Sequence, residues 1–280
     1  MKINLAKSAG FCFGVKRALN IALERVNTEK RLQMLGDIVH NEDVVEQIKK
    51  FGIEKIAKLT QGVNKTLLIR AHGTAKSTFA KAGSLGYKVI DATCPMVKEI
   101  HKIAQEMERK SYHIIIIGDK NHDEVKGIIG QLKSKATVIE NFEHIPFSLI
   151  KKIKKAALIV QSTQNTEKAL KIYAAIRPQI KKLEFFNTIC MPTRLKQQEI
   201  KKMPLENDVM IIIGSKNSAN TKRLYEICKS INKYSYWIAN KKQIKSEWFR
   251  NAKSAGITAG ASTPDSTTKS VVKYIKQIAG

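Results

Sequence analysis

The stretch Leu67-Leu68-Ile69-Arg70-Ala71-His72-Gly73, with Val89-Ile90-Asp91-Ala92-Thr93-Cys94-Pro95 after it, decides the fold of this chain. Each segment is a short apolar run that ends abruptly in a reactive side chain, His72 in the first and Cys94 in the second. Such runs are typical of buried parallel strands, whose C-terminal ends carry the chemistry of α/β proteins. Pro95 suits the first position of a helix, so Cys94 is expected at the N-cap, where the helix dipole and the free amides favour a thiolate. We therefore predict that Cys94 is a metal ligand or a nucleophile.

The same alternation of short apolar runs and helical patterns extends outward over the whole chain. Besides these two runs, strands are predicted at residues 3–5, 32–35, 113–117, 136–139, 157–160, 183–186, 209–213, 235–238 and 256–258. Helices are predicted in most of the gaps, including one from about Val15 to Val26 and a last one from Pro264 to Ile278. This order predicts an α/β protein with mainly parallel sheets.

Three of the four cysteines mark an internal repeat. A glycine stands 24 residues after each of Cys12, Cys94 and Cys190, and a polar residue stands 28 residues after each. These columns are Gly36, Gly118 and Gly214, then His40, His122 and Ser218. A further strand of each unit ends in polar groups: His72, then Ser162-Thr163, then Ser262-Thr263.

The repeat predicts three homologous α/β modules, at residues 11–95, 96–188 and 189–280. An approximate threefold axis, giving a trefoil, would bring the three cysteines to one centre. Each of the first two modules ends in a strand that leads into the next cysteine, whereas the third ends in a helix. We therefore predict that the strand within residues 1–10, which leads into Cys12, closes the sheet of the third module.

Three converging thiolates favour an iron–sulfur cluster over a structural zinc. Zinc ligands usually come in close pairs, and no two cysteines here are close in sequence. A cubane cluster held by Cys12, Cys94 and Cys190 leaves one iron open as a Lewis acid and electron donor. Cys228 lies in the apolar pattern of a helix and is predicted to be a core residue.

Several other polar residues fall in the repeated columns. His40, His72 and His122 follow strands, which favours a functional role, while His101, His113 and His144 are interpreted as structural. Ser218, Asn220 and Ser262 lie in small-residue turns that open helices, which suits both phosphate binding and ordinary capping. Glu124 follows His122 at a helix start; such a carboxylate is usually solvated, but one facing a cluster could carry a proton.

The charge of the chain limits its partners. Among 280 residues, 50 are Lys or Arg and 24 are Asp or Glu, giving a net charge of +26. This excess attracts polyanions, yet the lysines are scattered without aromatic interleaving, so we expect no nucleic-acid module. No apolar run is long enough to span a membrane and the first residues do not form a signal peptide, so we expect a cytoplasmic protein without membrane contact.

The motifs taken together resemble the LytB/IspH family of 4-hydroxy-3-methylbut-2-enyl diphosphate reductases. The segments that carry this resemblance are Gly10-Phe11-Cys12-Phe13-Gly14-Val15, Val39-His40-Asn41, Ala71-His72-Gly73, Asp91-Ala92-Thr93-Cys94-Pro95, His122-Asp123-Glu124-Val125-Lys126-Gly127, Asn187-Thr188-Ile189-Cys190 and Gly260-Ala261-Ser262-Thr263-Pro264. They recur in order over nearly the whole chain.

The resemblance implies a trefoil of three α/β domains around a 4Fe-4S cluster with one open iron. It implies that Cys12, Cys94 and Cys190 bind the cluster and that Glu124 delivers a proton. The substrate would be bound by His40, His72, His122, Ser162, Thr163, Ser218, Asn220 and Ser262. The reaction implied is reductive dehydroxylation of (E)-4-hydroxy-3-methylbut-2-enyl diphosphate to isopentenyl and dimethylallyl diphosphate, the last step of the non-mevalonate isoprenoid pathway. The implied electron donor is an acidic protein of the flavodoxin or ferredoxin type.

Three positions depart from the family pattern. Ser162 stands where threonine is common and keeps the hydroxyl, and Ala219 stands where serine is commoner and loses a phosphate contact. Lys196 replaces a usual arginine and cannot make a bidentate contact. We expect these changes to affect substrate affinity rather than activity.

Three alternatives are consistent with parts of this pattern. An iron–sulfur hydro-lyase would use the same open iron without consuming electrons. A zinc enzyme would show no visible-region absorbance change on reduction. An RNA-binding protein would bind tightly and with strong salt dependence.

Overall fold

Three four-stranded parallel sheets form the framework of the chain. The computed structural model describes residues 1–39 and 41–278. The strands are β1 (Lys2–Leu5), β2 (Leu32–Leu35), β3 (Glu54–Ile56), β4 (Thr66–Ile69), β5 (Lys88–Asp91), β6 (His113–Ile117), β7 (Thr137–Ile139), β8 (Lys155–Val160), β9 (Lys182–Phe186), β10 (Val209–Ile213), β11 (Ser235–Ile238) and β12 (Ser254–Ala259). The helices are α1 (Phe13–Val26), α2 (Glu42–Lys50), α3 (Lys76–Ser84), α4 (Pro95–Arg109), α5 (Asp123–Ile129), α6 (Phe147–Ile150), α7 (Thr166–Ile176), α8 (Met191–Glu206), α9 (Ala219–Ile231) and α10 (Asp265–Ile278). The α/β class with mainly parallel sheets is confirmed.

The three sheets share one strand order, as expected of a repeat. The orders are β3-β2-β4-β5, β7-β6-β8-β9 and β11-β10-β12-β1, and every pairing is parallel. Strand β1 therefore takes the place in its sheet that β5 and β9 take in theirs. Ile3 lies opposite Ala255, which is the pairing predicted for the strand before Cys12.

Compactness divides the chain into two units. The first comprises Met1–Lys16, His40–Val44 and Met191–Gly280, and the second comprises Arg17–Val39 and Val45–Cys190. The first unit contains the sheet with β1 and β12, and the second contains the other two sheets. Each sheet draws its strands from one predicted module, with β1 added to the third. The boundaries predicted for the three modules stay a prediction.

Buried aliphatic side chains on both faces explain why the central strands form. Ile114 to Ile117 in β6 and Ile211 to Ile213 in β10 are fully or almost fully buried. A strand covered by helices on both faces needs such a continuous β-branched run rather than an alternating pattern. Among the described residues, no helix has the length and continuous apolar character that crossing a bilayer requires.

Strand β3 is the one strand that sequence analysis missed. It has three residues, lies at the edge of its sheet and carries the exposed Glu54 and Lys55. Edge strands are often short and charged, which discourages pairing with other chains. Such a strand has no apolar run by which its sequence could predict it.

Candidate active site

Cys94 caps helix α4 at the end of a tightly bonded turn in the second unit. Cys94 is the N-cap residue of the helix and Pro95 is the first helical residue, as predicted. The Asp91 carboxylate accepts hydrogen bonds from the Thr93 amide at 2.9 Å and the Thr93 hydroxyl at 2.5 Å, and it pairs with Lys98 at 2.6 Å. Burial alone would raise the pKa of Asp91, but these donors outweigh it and the pKa is lowered. The turn before Cys94 is thus held by a charged carboxylate.

Each of the three repeated cysteines makes the same backbone hydrogen bond within its own unit. The Cys94 amide donates to the Ala71 carbonyl at 3.0 Å, just before His72. The Cys190 amide donates to the Ser162 carbonyl at 3.0 Å, just before Thr163.

The Cys12 amide likewise donates to the Ala261 carbonyl at 3.0 Å, just before Ser262. Every cysteine therefore lies beside a polar residue at the end of a neighbouring strand, in agreement with the repeat. All three cysteines are partly exposed and none of the four in the chain forms a disulfide.

Cys228 has a different environment from the other cysteines. Its side chain is fully buried in a cluster that includes Ile212 and Leu224, and its sulfur lies 3.1 Å from the Ser235 hydroxyl. Burial raises the pKa of the Cys228 thiol to about 11. A thiol that resists ionisation in an apolar core is a packing residue, as predicted.

Glu124 is buried beside Ser162 in the second unit. It is 1 % exposed, and its two carboxylate oxygens accept hydrogen bonds from the Ser162 amide and hydroxyl, both at 2.6 Å. Burial raises the pKa of Glu124, an effect that the Ser162 donors oppose and nearby Asp119 reinforces. The carboxyl group is therefore inclined to hold a proton, unlike the solvated residue that usually occupies a first helical turn.

The histidines of the second unit form part of the same region. The rings of His72 and His122 meet edge to face with centroids 5.5 Å apart. His122 caps helix α5 by accepting a hydrogen bond from the Glu124 amide at 3.1 Å. His122 thus links His72 to the helix that carries Glu124. His40, which the sequence places with these histidines, lies outside the described residues.

The start of helix α9 and the turn after β12 pack together in the first unit. Ser218 caps the helix by accepting from the Thr221 amide at 3.3 Å. A Cβ atom on Gly214 or Gly260 would meet the Thr221 hydroxyl oxygen at 2.5 or 2.0 Å, so only glycine fits at either position. The backbone turns that carry Ser218 and Ser262 therefore approach closely.

Asn220 is the clearest orphan among the predicted site residues. It is 4 % exposed, and neither its side-chain oxygen nor its nitrogen has a hydrogen-bond partner. Buried amide groups normally find partners, so Asn220 has both a donor and an acceptor available for a polar ligand. Sequence analysis missed Thr221, whose buried hydroxyl also lacks a partner; its only signal is its place next to Asn220.

Two of the three departures from the family pattern have a structural explanation. The Ser162 hydroxyl bonds to Glu124, so the hydroxyl that serine shares with threonine is in use. Lys196 is 2 % exposed, and its ammonium group donates to backbone carbonyls of its own unit, at 3.0 Å to both Gly10 and Ala259. Single carbonyl oxygens do not require a bidentate donor, so this contact does not depend on a guanidinium. No contact of the Ala219 side chain explains the third departure.

The three histidines interpreted as structural have different environments. His113 contacts the Thr137 hydroxyl across two strands at 2.8 Å, and His144 is exposed. His101 lines a cavity of about 230 Å³ with Asp91 and Lys98, and burial lowers its pKa to about 4. Among the described residues, no group of three His, Cys, Asp or Glu side chains is arranged around a single metal ion.

Comparison with known proteins matches nearly the whole chain to one family. Residues 3–276 match the family model described as LytB protein. The chain is 43 % identical to the 4-hydroxy-3-methylbut-2-enyl diphosphate reductase of Campylobacter hominis, over 98 % of both proteins. It is 40 % identical to the enzyme of the same name from Aquifex aeolicus, over 99 % of this chain and 96 % of that protein.

Two solved structures are also similar. One, of (E)-4-hydroxy-3-methyl-but-2-enyl diphosphate reductase, described as the terminal enzyme of the non-mevalonate pathway, is 39 % identical with a TM-score of 0.73 and covers 99 % of this chain and all of its own. The other, the E-1-hydroxy-2-methyl-but-2-enyl-4-diphosphate reductase of Plasmodium falciparum, is 26 % identical with a TM-score of 0.90 and covers 98 % of this chain and 88 % of its own.

Proposed function

Because the chain belongs to the LytB family, we propose that it is an oxidoreductase that converts (E)-4-hydroxy-3-methylbut-2-enyl diphosphate to isopentenyl and dimethylallyl diphosphate. The reaction consumes two electrons and two protons and releases the hydroxyl group as water. It is the last step of the non-mevalonate pathway to isoprenoid precursors. The observation that carries this proposal is the match of residues 3–276 to the LytB family model. The repeated cysteine hydrogen bond supports it, because each ligand candidate lies beside a polar residue that follows a strand.

The donor set fits a 4Fe-4S cluster bound by Cys12, Cys94 and Cys190. Each of these cysteines immediately precedes a helix, where a thiolate is favoured, and each is partly exposed. Cys228 lacks both properties and is left out of the ligand set. When bound, such a cluster supplies electrons and a Lewis-acidic open iron.

The diphosphate is proposed to bind where donors are concentrated. The orphaned Asn220 amide and the Ser218 cap at the start of α9 supply neutral donors and a positive dipole end. His40, His72, His122 and Ser262 complete the proposed binding set. The Asn220 side chain would gain partners that it lacks in the protein alone, which would offset its burial.

Glu124 is proposed to deliver the proton. A hydroxyl group leaves as water only if a proton reaches its oxygen, and the raised pKa of Glu124 keeps a proton on this carboxyl at higher pH than usual. The Ser162 hydroxyl, 2.6 Å from a Glu124 oxygen, fixes the carboxyl group and is proposed to orient the substrate hydroxyl together with Thr163.

The electron donor is proposed to be an acidic flavodoxin- or ferredoxin-type protein. The net charge of +26 favours association with an anionic partner. The cytoplasmic location expected from the sequence stays a prediction.

An anaerobic assay tests the function directly. Purified protein, reconstituted with iron and sulfide, should turn over the allylic diphosphate with a reductant and yield both five-carbon diphosphates. A protein that carries the cluster but releases water without consuming reductant would instead be a hydro-lyase. A protein that takes up one zinc ion and no iron would contradict the proposal.

A further inference from the structure

A buried lysine and a glutamate on helix α8 hold the segment that leads into Cys12. This segment, residues 7–10, is part of the connection between β1 and α1 and lies in the first unit with α8. A connecting segment has no ladder to satisfy its backbone polar groups, so these groups must find other partners. Here two side chains of helix α8 form hydrogen bonds with both amide and carbonyl groups of residues 7–10.

Lys196 binds carbonyl groups of this segment. Its ammonium donates to the carbonyls of Ser8 and Gly10 and, at 3.0 Å, to the carbonyl of Ala259 at the end of β12. Burying an ammonium group is unfavourable unless charge-assisted hydrogen bonds replace its water. The burial of Lys196 therefore depends on these carbonyls staying in place, and the carbonyls depend equally on Lys196.

Glu199 binds amide groups of the same segment. It lies three residues after Lys196, so both side chains project from one side of α8. Its carboxylate accepts from the Lys7 amide at 2.5 Å, the Ser8 amide at 3.0 Å and the Ser8 hydroxyl at 2.5 Å. The cation thus binds carbonyls and the anion binds amides along one short stretch.

The segment of residues 7–10 determines the position of the Cys12 backbone. Gly10 has φ +92°, a left-handed conformation, and its amide donates to the Ala259 carbonyl at 3.3 Å. Two residues later the Cys12 amide donates to the Ala261 carbonyl. Lys196 bridges the carbonyls of Gly10 and Ala259 directly, and so fixes the spacing between the segment before Cys12 and the end of β12.

Other residues form the hydrogen bonds near Cys94 and Cys190. Arg17 donates to the Thr93 carbonyl at 3.2 Å next to Cys94, and the Thr188 hydroxyl bonds to the Val160 backbone near Cys190. Lys196 and Glu199 thus bond to the segment before Cys12, whereas Arg17 and Thr188 bond near the other two cysteines.

We propose that Lys196 and Glu199 are positioning residues that preorganise Cys12 as a cluster ligand. The proposal rests on the proposed function, in which Cys12 binds the cluster. Residues that orient metal ligands without touching the metal typically change affinity roughly 10- to 100-fold when replaced. The structure thus assigns Lys196 to cluster retention, where the sequence pattern suggested substrate affinity.

The test compares Lys196→Met, Lys196→Arg and Glu199→Gln with the exposed control Lys202→Met on the same helix. The first readout is iron loss from the anaerobic holoenzyme to a chelator. We expect roughly 10- to 100-fold faster loss in Lys196→Met, a smaller increase in Glu199→Gln, and wild-type rates in Lys196→Arg and Lys202→Met.

The second readout is alkylation of the full-length apoprotein by iodoacetamide, followed for each cysteine by mass spectrometry. Cys12 should react about tenfold faster in Lys196→Met, while Cys94 and Cys190 keep their wild-type rates. Equal acceleration at all three cysteines would show general destabilisation and overturn the proposal, as would unchanged Cys12 reactivity in both Lys196→Met and Glu199→Gln.

The two readouts separate this proposal from the proposed function. Glu199 is partly exposed, so Glu199→Gln should fold even if Lys196→Met does not. A wild-type protein that binds no cluster would overturn the proposed function, whereas apoprotein alkylation would still decide whether Lys196 and Glu199 hold the Cys12 segment.

Discussion

At the scale of single residues, burial separates groups that are alike in the sequence. Glu124 and Glu42 occupy the same column of the repeat, yet Glu42 is exposed and accepts from Ser215 at 3.0 Å and Asn217 at 3.1 Å. Glu124 is buried, its carboxylate accepts from the Ser162 amide and hydroxyl, and its pKa is raised. The same carboxyl group therefore binds two polar side chains at the surface in one position and is buried with a raised pKa in the other.

Replacing Glu124 by glutamine should abolish most turnover. Glutamine preserves the shape: its amide oxygen can accept from the Ser162 amide while its NH2 group donates to the Ser162 hydroxyl. It has no acidic proton, so the rate should fall by roughly 10²–10⁴. The measurement is steady-state turnover under anaerobic conditions, with iron content and substrate affinity checked in parallel. Near-normal turnover with an intact cluster would remove Glu124 from the mechanism and move the role to His122.

The raised pKa of Glu124 also predicts a pH dependence of stability. A carboxyl group whose folded-state pKa is raised above its usual 4.5 binds more protons in the folded state, so its contribution to stability is lost as pH rises above 4.5 through the folded pKa. Glu124→Gln removes this loss. Its free energy of unfolding relative to wild type should therefore increase from pH 4 towards pH 8.

Denaturant unfolding of the apoproteins measures this difference. Glu143→Gln removes an exposed carboxyl group and is the matched control. A Glu124→Gln difference that does not change between pH 4 and pH 8 would mean that the folded protein does not hold this proton.

Cys228 and Cys94 should behave oppositely when replaced by alanine. Cys228→Ala loses a buried hydrogen bond with Ser235, so it should cost about 1 kcal/mol of unfolding free energy and leave the cluster in place. Cys94→Ala should lose most of its iron. Iron and sulfide analysis of reconstituted protein, with the visible spectrum, distinguishes them; equal loss of iron in both variants would contradict the three-cysteine ligand set.

At the scale of elements, three helix starts carry the candidate ligands. Helices α1, α4 and α8 each begin at the residue after a cysteine, and each of the three preceding segments is bonded to a strand end. The positive φ of Gly10 is the conformational requirement of the first of these segments. Glycine adopts this conformation without the steric penalty of a Cβ atom.

Gly10→Ala should destabilise the first unit. A left-handed conformation costs a non-glycine residue about 1–2 kcal/mol, and the new Cβ atom would lie 2.6 Å from an Asp265 carboxylate oxygen. Gly83→Ala is the matched control, since Gly83 lies inside helix α3 with no atom within 4 Å of the added Cβ. That variant should gain about 0.5–1 kcal/mol.

Chemical denaturation of both variants gives the comparison. A Gly10→Ala protein as stable as wild type would show that the segment before Cys12 relaxes to another conformation.

At the scale of the whole molecule, the excess of basic residues bears on which proteins the chain attracts. The candidate site residues include no lysine or arginine, so the net charge of +26 is carried elsewhere. Long-range attraction of this kind speeds encounter with an anionic protein and is screened by salt.

We expect the KM for an acidic donor protein to rise steeply between low and physiological salt. Turnover with a small-molecule reductant should change much less, because its encounter depends less on a large complementary surface. Steady-state assays over a salt series with both electron sources give the two dependences. A donor KM that does not change with salt would contradict electrostatic docking.

The sequence by itself determined the repeat and, apart from the short edge strand β3, the strands of the sheets. Apolar β-branched runs such as Ile114–Ile117 predict buried parallel strands because local pattern decides which residues can leave water. The columns that contain Cys12, Cys94 and Cys190 predicted which strand ends would carry polar groups. Proline after Cys94 predicted the helix start, since its effect on the backbone is local.

The tertiary structure alone decided how individual polar groups are used. Lys196 bonds to carbonyls that lie 188 and 63 positions away along the chain, and Glu124 bonds to Ser162, 38 positions away. No local pattern encodes such partners, because burial and desolvation depend on which distant segments pack around a side chain. For that reason the sequence identified Glu124 and Lys196 as notable residues, but only the fold showed that Glu124 is buried with a raised pKa and that Lys196 bonds to the backbone before Cys12.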